Sequence, residues 1–193
     1  MRKKVLLLIS FFFIEGIIHN LGHPVTPAMV RGMEISDYMF GVFFALMSLG
    51  MMIGAPLWGI IGDRGKKKYF IIIGLLMYSI GQYFFAYSGN TILMVFFRFF
   101  SGLGVAAPLT LLTSDVIEIS TKLSRTKNLA YVGSATTLGT SIGYWLGGFI
   151  STNPTLTTLL GTTDLRVVFL IQAILNIIYV LYIVFTFKDE TKK

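Results

Sequence analysis

Long runs of apolar residues without charge constrain this chain more than any other feature of its sequence. A transmembrane helix needs about 20 mostly apolar residues, and six stretches of that size follow one another at about 5–30, 38–61, 69–87, 91–117, 129–150 and 167–187. Only 13% of the residues are charged, about half the share of a soluble domain. The sequence therefore predicts an all-α membrane protein in which residues 1–193 form one domain of six transmembrane helices, and it argues against a nucleic-acid-binding module.

The positions of the cations predict how these helices are oriented. Thirteen of the sixteen Lys and Arg residues lie before the first stretch or after the second, fourth or sixth, all on one side of the membrane. Only Arg31 and Arg166 fall on the other side. Because cationic loops stay in the cytoplasm, we expect a multi-pass protein of the cell membrane with both termini inside. Glu15 interrupts the first stretch and no small-residue cleavage site follows, which favours a helix over a signal peptide.

A line of polar residues runs along the first apolar stretch. Glu15, His19 and His23 recur every four residues, so they share one helix face, and Asn20 lies close to it. Ionisable side chains inside a bilayer mark a functional site by default, and these residue types can exchange protons near neutral pH. The alternative for the two histidines is packing in the outer interfacial layer. Three ligands on one helical line do not close around one ion, so we predict no metal site.

The fourth stretch contains an arginine within the bilayer, Arg98. Such a charge costs at least about 2.5 kcal/mol, so it is retained where it faces protein, water or a counter-charge. Arg98 lies about 12 Å from the outer end of its helix at 1.5 Å per residue, which is deep for snorkelling. The sequence has no nucleophile motif, phosphate loop or dinucleotide fingerprint, so we predict neither an enzyme nor a cofactor.

Two of the apolar stretches resemble each other. Residues 50–59 read GMMIGAPLWG and residues 139–148 read GTSIGYWLGG, with five identities that include Gly50/Gly139 and Gly54/Gly143. The two stretches run in opposite directions and lie three apart, so the match predicts an inverted 3+3 repeat. The alternative is a chance similarity between glycine-rich helix faces, which pack closely wherever they occur.

Four short motifs carry a family resemblance. The loop after the second stretch resembles the signature between helices two and three of the major facilitator superfamily through Gly59, Asp63, Arg64, Lys67, Lys68 and Ile71, although the family's second glycine falls on Lys66. Arg98 followed by Gly102-x-Gly104 is similar to its helix-four motif. The fifth stretch resembles the helix-five motif of the drug/proton antiporters through Gly139, Gly143, Gly147 and Gly148, with Tyr144 where those antiporters have Pro. Pro24-x-x-Pro27 is similar to a motif at the end of their first helix.

The resemblance implies an architecture and a function. The chain corresponds to the amino-terminal six-helix half of a major facilitator fold, which usually has two such halves with the substrate carried between them. It implies proton-coupled efflux of a small amphipathic or cationic compound, with Glu15, His19 and Arg98 around a water-filled cavity. Protonation of Glu15 would alter its attraction to Arg98 and so bias one state of the carrier.

The resemblance also implies a cytoplasmic latch and leaves the partner of this half open. Asp63 and Arg64 after the Gly59 turn would form the latch with Lys67 and Glu118. The expected partners are a small-molecule substrate, protons, the bilayer, and either a second six-helix chain or a second copy. The alternative function is a non-transporting half or membrane interaction module. Periodicity does not decide whether Thr140, Gln172 and Asn176 face the cavity or a neighbouring helix.

Overall fold

The computed structural model describes residues 2–153, 155, 158 and 164–189, and in these it contains helices and no strand. In chain order the helices are α1 (Arg2–Asn20), α2 (Thr26–Gly32), α3 (Met39–Gly62), α4 (Lys67–Tyr87), α5 (Thr91–Ile119), α6 (Arg125–Thr152) and α7 (Val167–Thr186). By length and composition alone, α3, α4, α5 and α7 are apolar enough to cross a membrane. Lys3, Lys4 and Glu15 interrupt the apolar character of α1, and the many Gly, Ser and Thr residues of α6 lower its hydropathy.

The first predicted stretch, 5–30, contains two helices rather than one. α1 ends at Asn20, and α2 begins at Thr26 with Pro27 in its first turn. Pro24 disfavours the helical conformation in the residue before it and lacks the N–H that would continue the hydrogen bonds of α1. Pro27 is placed where its missing N–H costs nothing, because the first N–H groups of a helix have no partner within it. The break therefore falls within the predicted polar line, and His23 lies in the turn after α1 rather than on one helix with Glu15 and His19.

Glycines bring the helices together in two close pairs. α5 packs against α3 and α4, α1 packs against α6, and α7 packs against α4. A Cβ atom on Gly50 or Gly54 of α3 would collide with α5, and one on Gly139 or Gly143 of α6 would collide with the backbone of α1. Small residues allow this close approach where lipid supplies no hydrophobic driving force.

Charged and polar contacts gather at one end of the bundle, which we call the basic end. There α1, α4 and α6 begin and α3, α5 and α7 end. Lys4 Nζ lies 3.2 Å from Asp115 Oδ2, which joins α1 to α5. The Lys68 N–H donates to Asp189 Oδ1 at 2.9 Å, and Lys68 Nζ donates to the Val184 carbonyl at 2.5 Å, which joins α4 to the end of α7. Segments that the charge pattern assigned to one side of the membrane therefore meet in space.

At the opposite end, Asp164 and Arg166 form an ion pair just before α7. Arg166 Nη2 lies 2.6 Å from Asp164 Oδ2, and its guanidinium carbon lies 5.5 Å from the centre of the Tyr87 ring. The hydrogen bonds from Arg166 hold the pKa of the Asp164 carboxyl below its ordinary value. The pair thus joins the start of α7 to the end of α4.

Candidate functional site

A cavity of about 220 Å³ lies between α1, α3, α5 and α6. Glu15, Gly16, His19, Asn20 and His23 line it from the first segment, and Phe44, Met47, Ser48, Met51, Val105, Leu109 and Thr136 complete its wall. The whole polar line of α1 therefore faces one space, whose remaining wall is mostly apolar or aromatic. This is the arrangement expected of a ligand site, in which a few polar groups orient a ligand within an apolar pocket.

Glu15 is the most deeply buried acid of this cavity. It is 1% exposed, and its Oε1 lies 3.6 Å from Nδ1 of His19 one helical turn later. Among the residues that the structure describes, neither carboxyl oxygen accepts a hydrogen bond, and Nε2 of His19 has no hydrogen-bond partner either. Buried polar groups in native proteins are nearly always hydrogen-bonded, so unsatisfied ones need a functional or solvent explanation.

The backbone of α1 is held in place by polar side chains from three other helices. The His19 carbonyl accepts hydrogen bonds from the Tyr78 hydroxyl at 3.2 Å and from Gln172 Nε2 at 3.0 Å. Asn20 Nδ2 donates to Thr140 Oγ1 of α6 at 3.0 Å. These contacts fix the rotation of α1, which decides that the polar line faces the cavity.

The alternatives left open for Thr140, Gln172 and Asn176 are thereby resolved in favour of neighbouring helices. Gln172 bonds to α1, and Asn176 Nδ2 donates to the Leu75 carbonyl at 2.7 Å in α4. Thr140 bonds to Asn20. None of the three lines the cavity.

His23 lies in the turn after α1 among aromatic side chains. Its ring centre is 4.7 Å from that of Phe44 and 6.0 Å from that of Tyr144. Tyr144, which stands where the resembled motif has Pro, therefore lies near the polar line. Nδ1 of His23 has no hydrogen-bond partner in the described part of the chain, so this histidine combines ring packing with an unsatisfied nitrogen.

Arg98 lies apart from the other predicted site residues. Nη1 donates to Gln82 Oε1 at 3.1 Å, and Nη2 donates to Thr26 Oγ1 at 3.1 Å. The guanidinium carbon lies 3.8 Å from the centre of the Phe85 ring, a cation–π contact. Arg98 is not among the residues lining the cavity, and Met47, which does line it, has its sulfur 3.8 Å from Nη1. Within the described part of the chain Arg98 forms no ion pair with Glu15 or any other acid.

Part of the predicted latch comes together at the basic end. Lys67 is buried and places Nζ 2.7 Å from Glu118 Oε2 and 3.1 Å from Ser114 Oγ. Asp63 and Arg64 are exposed in the turn after α3, where Asp63 N–H donates to the Gly59 carbonyl at 3.1 Å. The ion pair therefore joins α4 to α5, while Asp63 and Arg64 lie on the surface of the turn.

The departure from the family pattern at Lys66 is visible in the same turn. Both Gly65 and Lys66 have positive φ, of 85° and 63°. Lys66, on which the second glycine of the resembled motif falls, thus has a left-handed conformation that glycine adopts without steric cost. A non-glycine residue in this conformation costs about 1 kcal/mol or more.

The helix-five motif serves as a packing face. Cβ atoms on Gly139, Gly143 and Gly147 would collide with the backbone of α1 at Phe13, Ile17 and Leu21, whereas one on Gly148 would meet open space. Three glycines of the motif therefore set the distance between α6 and α1, which bears the polar line.

Sequence reasoning missed two of the described ion pairs, Lys4–Asp115 and Asp164–Arg166. Asp115 is 1% exposed, and a lone acid near the end of an apolar stretch was the available signal. Among the described residues no group of three His, Cys, Asp or Glu is arranged to hold a metal ion.

Comparison with known proteins agrees with this architecture. Multidrug resistance protein 2 of Bacillus subtilis is 30% identical over 146 residues, which are 76% of this chain and 36% of that protein. Quinolone resistance protein NorA of Staphylococcus aureus is 26% identical over 151 residues, which are 78% of this chain and 39% of NorA. The chain therefore spans about two fifths of the length of these relatives.

Solved structures show the same fold. A bacterial homolog of the human lysosomal transporter Spinster, in an inward-facing and occupied conformation, superposes with a TM-score of 0.78 over 99% of this chain and 45% of its own, at 19% identity. Residues 6–193 match the sequence profile described as Major Facilitator Superfamily. The fold and the motifs agree with this match, and the chain belongs to the Major Facilitator Superfamily.

Proposed function

We propose that this chain is one half of a proton-coupled exporter of small amphipathic compounds in the cell membrane. The observation that carries the proposal is Glu15, a buried carboxyl group that faces the cavity and accepts no hydrogen bond from the described residues, with Oε1 3.6 Å from Nδ1 of His19. An ionisable group inside a membrane protein is characteristic of proton relays. The names of two relatives, a multidrug resistance protein and a quinolone resistance protein, support drug-like substrates.

Glu15 and His19 are the pair through which protons would act. A proton on Glu15 removes a negative charge from the cavity, and its loss restores a site for a cationic ligand. Because a ligand shifts an equilibrium only by binding one state better than another, proton and substrate would compete for this carboxyl group. Arg98, behind Met47, would act on this exchange through its field rather than by direct contact.

The small volume of the cavity supports a second protein part, either a separate six-helix half or a second copy of this chain, that completes it. A drug-sized ligand occupies a pocket of about 300–1,000 Å³, whereas this cavity measures about 220 Å³. Its wall from Phe44, Met47 and Met51 suits the apolar part of such a ligand, and Glu15 suits a positive charge. One half alone would then supply only part of the binding surface.

The helices beside the cavity offer a surface for that second protein part. α6 exposes a face that contains several small residues, which allow close helix contact in membranes, whereas α3 exposes larger apolar residues such as Met52 and Ile60. Cβ atoms on Gly41 of α3 or on Gly133 and Gly148 of α6 would meet nothing within 4 Å, so these glycines do not serve packing among the described residues. A separate six-helix half or a second copy of this chain would cover these faces.

We also propose that the six membrane-crossing elements form an inverted repeat, with both termini in the cytoplasm. Reciprocal contacts support it. A Cβ atom on Gly50 would collide with the Phe99 carbonyl, and one on Gly102 with the Met47 carbonyl. In the other pair, Gly139 is opposed by the Phe13 carbonyl and Gly16 by the Thr136 carbonyl. In each of the four helices the residue with the opposing carbonyl lies three residues before the glycine. The symmetry of an inverted repeat, which relates α1 to α5 and α3 to α6, would therefore convert one contact into the other.

The test of proton coupling is Glu15→Gln, with the exposed Glu34→Gln as the matched control. Everted membrane vesicles carrying the chain and whatever second protein part completes it are energised with a proton gradient, and ethidium accumulation is followed by fluorescence. We expect Glu15→Gln to abolish gradient-driven accumulation while ethidium binding is partly retained, because Gln keeps the shape but carries no proton. Glu34→Gln should behave as the unsubstituted chain. An unchanged pH dependence in Glu15→Gln would remove Glu15 from the mechanism.

A non-transporting interaction module is the second candidate, and the share of the relatives covered favours testing it directly. Because the chain has no cysteine, Gly133→Cys and the control Lys122→Cys can be cross-linked singly. Disulfide-linked dimers from Gly133→Cys alone would indicate pairing of two copies. Cross-linking to a separate six-helix chain would indicate a split carrier. Assembly with either partner but no ethidium movement would favour the module over the exporter.

A further inference from the structure

We propose that a groove between α1 and α6 at the basic end binds an anionic phospholipid. The groove has a volume of about 540 Å³. Val5, Leu6 and Ile9 of α1 form its apolar side, and Lys127 and Tyr131 of α6 with Ser124 form its polar side. The two sides match the two parts of a phospholipid, an acyl chain and a phosphate head group.

The groove follows from the way the two helices are packed. Gly139 and Gly143 bring α6 against Phe13 and Ile17 of α1. Nearer the basic end, the first turns of α6 carry Lys127 and Tyr131, which line the groove, instead of glycines that face α1. α1 and α6 therefore lose their close contact toward this end, and a space opens between them.

Charge distinguishes Lys127 from the other lysines that the structure places in contacts at this end. The ammonium groups of Lys4 and Lys67 lie against the carboxylates of Asp115 and Glu118, and Lys68 Nζ donates to the Val184 carbonyl. In the part of the chain that the structure describes, Lys127 forms no such pair, and its Nζ lies 5.7 Å from the centre of the Tyr131 ring. Its positive charge is thus available to a ligand at the rim of an apolar groove.

The position of the groove relative to the bilayer indicates that its occupant is a lipid. Lys127 and Tyr131 lie in the first two turns of α6, at the level where a helix of a membrane protein meets the head groups. Leu6 is 60% exposed on the opposite side of the groove. Basic pockets between helix ends on the head-group side of a membrane protein recognise anionic lipids.

The test compares Lys127 of α6 with Lys122 of the loop that precedes this helix. The purified chain in detergent is titrated with dioleoylphosphatidylglycerol or dioleoylphosphatidylcholine, and retained lipids are counted by native mass spectrometry. We expect tighter binding of the phosphatidylglycerol. Lys127→Gln should weaken that binding about fivefold, as expected for one Lys near a charged surface, and should leave phosphatidylcholine binding unchanged. Lys122→Gln makes the same charge change at an exposed position outside the groove and should alter binding less than twofold.

Three results would overturn the proposal. Equal losses in Lys127→Gln and Lys122→Gln would mean diffuse attraction to the basic end. Equal affinity for the two lipids would mean an apolar groove without head-group selection. Displacement of phosphatidylglycerol by glycerol 3-phosphate at equal concentration would mean a site for a soluble phosphate. Because both lysines are exposed, neither variant should unfold, and circular dichroism checks that.

Discussion

Replacing Gly139 by alanine tests whether glycine sets the distance between α6 and α1. A Cβ atom at this position would collide with the Phe13 carbonyl oxygen and would lie 3.1 Å from Ile17 N and from Phe13 C. Carbon atoms in ordinary contact are about 3.5–4.0 Å apart, so the two helices must separate by about half an ångström or more. Such overpacking costs about 1–3 kcal/mol.

The control for this change is Gly148→Ala, nine residues later in the same helix. A Cβ atom at Gly148 meets nothing within 4 Å, so alanine brings only its better helix propensity, about 0.5–1 kcal/mol. At about 2–4 °C per kcal/mol for a chain of this size, Gly139→Ala should lower the Tm by roughly 2–12 °C. Gly148→Ala should raise the Tm by roughly 1–4 °C.

The assay is thermal unfolding of the purified chain in detergent, followed by helical circular dichroism. Equal shifts for the two variants would refute the reasoning, because the effect would then come from alanine in α6 and not from contact with α1. A larger loss at Gly148 would point instead to an interface on the exposed face of α6.

Three further predictions concern the basic end and the orientation. Lys66→Gly should raise the Tm, since about 1 kcal/mol of left-handed strain is relieved, whereas Gly65→Ala should lower it. A lower Tm for Lys66→Gly together with a higher Tm for Gly65→Ala would exclude strain at this turn. A double-mutant cycle of Lys67→Gln and Glu118→Gln should give a coupling free energy of about 0.2–1 kcal/mol, because Glu118 is partly exposed. A coupling of zero would mean that the ion pair does not stabilise the latch. Single cysteines at Ser88 and Lys66 should react with an impermeant thiol reagent from opposite sides of the membrane, and reaction from one side would contradict the topology.

The helices and the polar line could be predicted from the sequence because both depend on local periodicity. Apolar stretches of transmembrane length correspond to helices here, and the spacing of Glu15 and His19 places them on one face of α1. His23 lies in the turn after α1, so its position at the same cavity depends on the tertiary structure. The break before Thr26 could also have been predicted from Pro24 and Pro27. The hydropathy of the stretch does not indicate it, because the residues on both sides of the break are mostly apolar.

The surroundings of Arg98 could not be predicted in the same way. Its partners Thr26 and Gln82 come from two other helices, far away in the sequence, and Phe85 adds a ring contact that no spacing rule indicates. The expectation that Arg98 and Glu15 face one cavity rested on a family resemblance and on equal depth in the membrane. Depth is set by position along a helix, whereas the direction of a side chain depends on helix rotation, which packing decides.

The sequence by itself determined the helical class, the family, the side of the membrane expected for each loop and the shared face of the polar residues in α1. These features follow from hydropathy, charge and the period of 3.6 residues, and all three can be read from residues that lie close together in the sequence. Only the tertiary structure decided that this face borders a cavity, that Gln172 and Asn176 bind neighbouring helices, and that Lys67 reaches Glu118. The physical reason is that a buried polar group takes whichever partner the packing of several helices brings within about 3 Å, and residues distant in sequence jointly determine that packing.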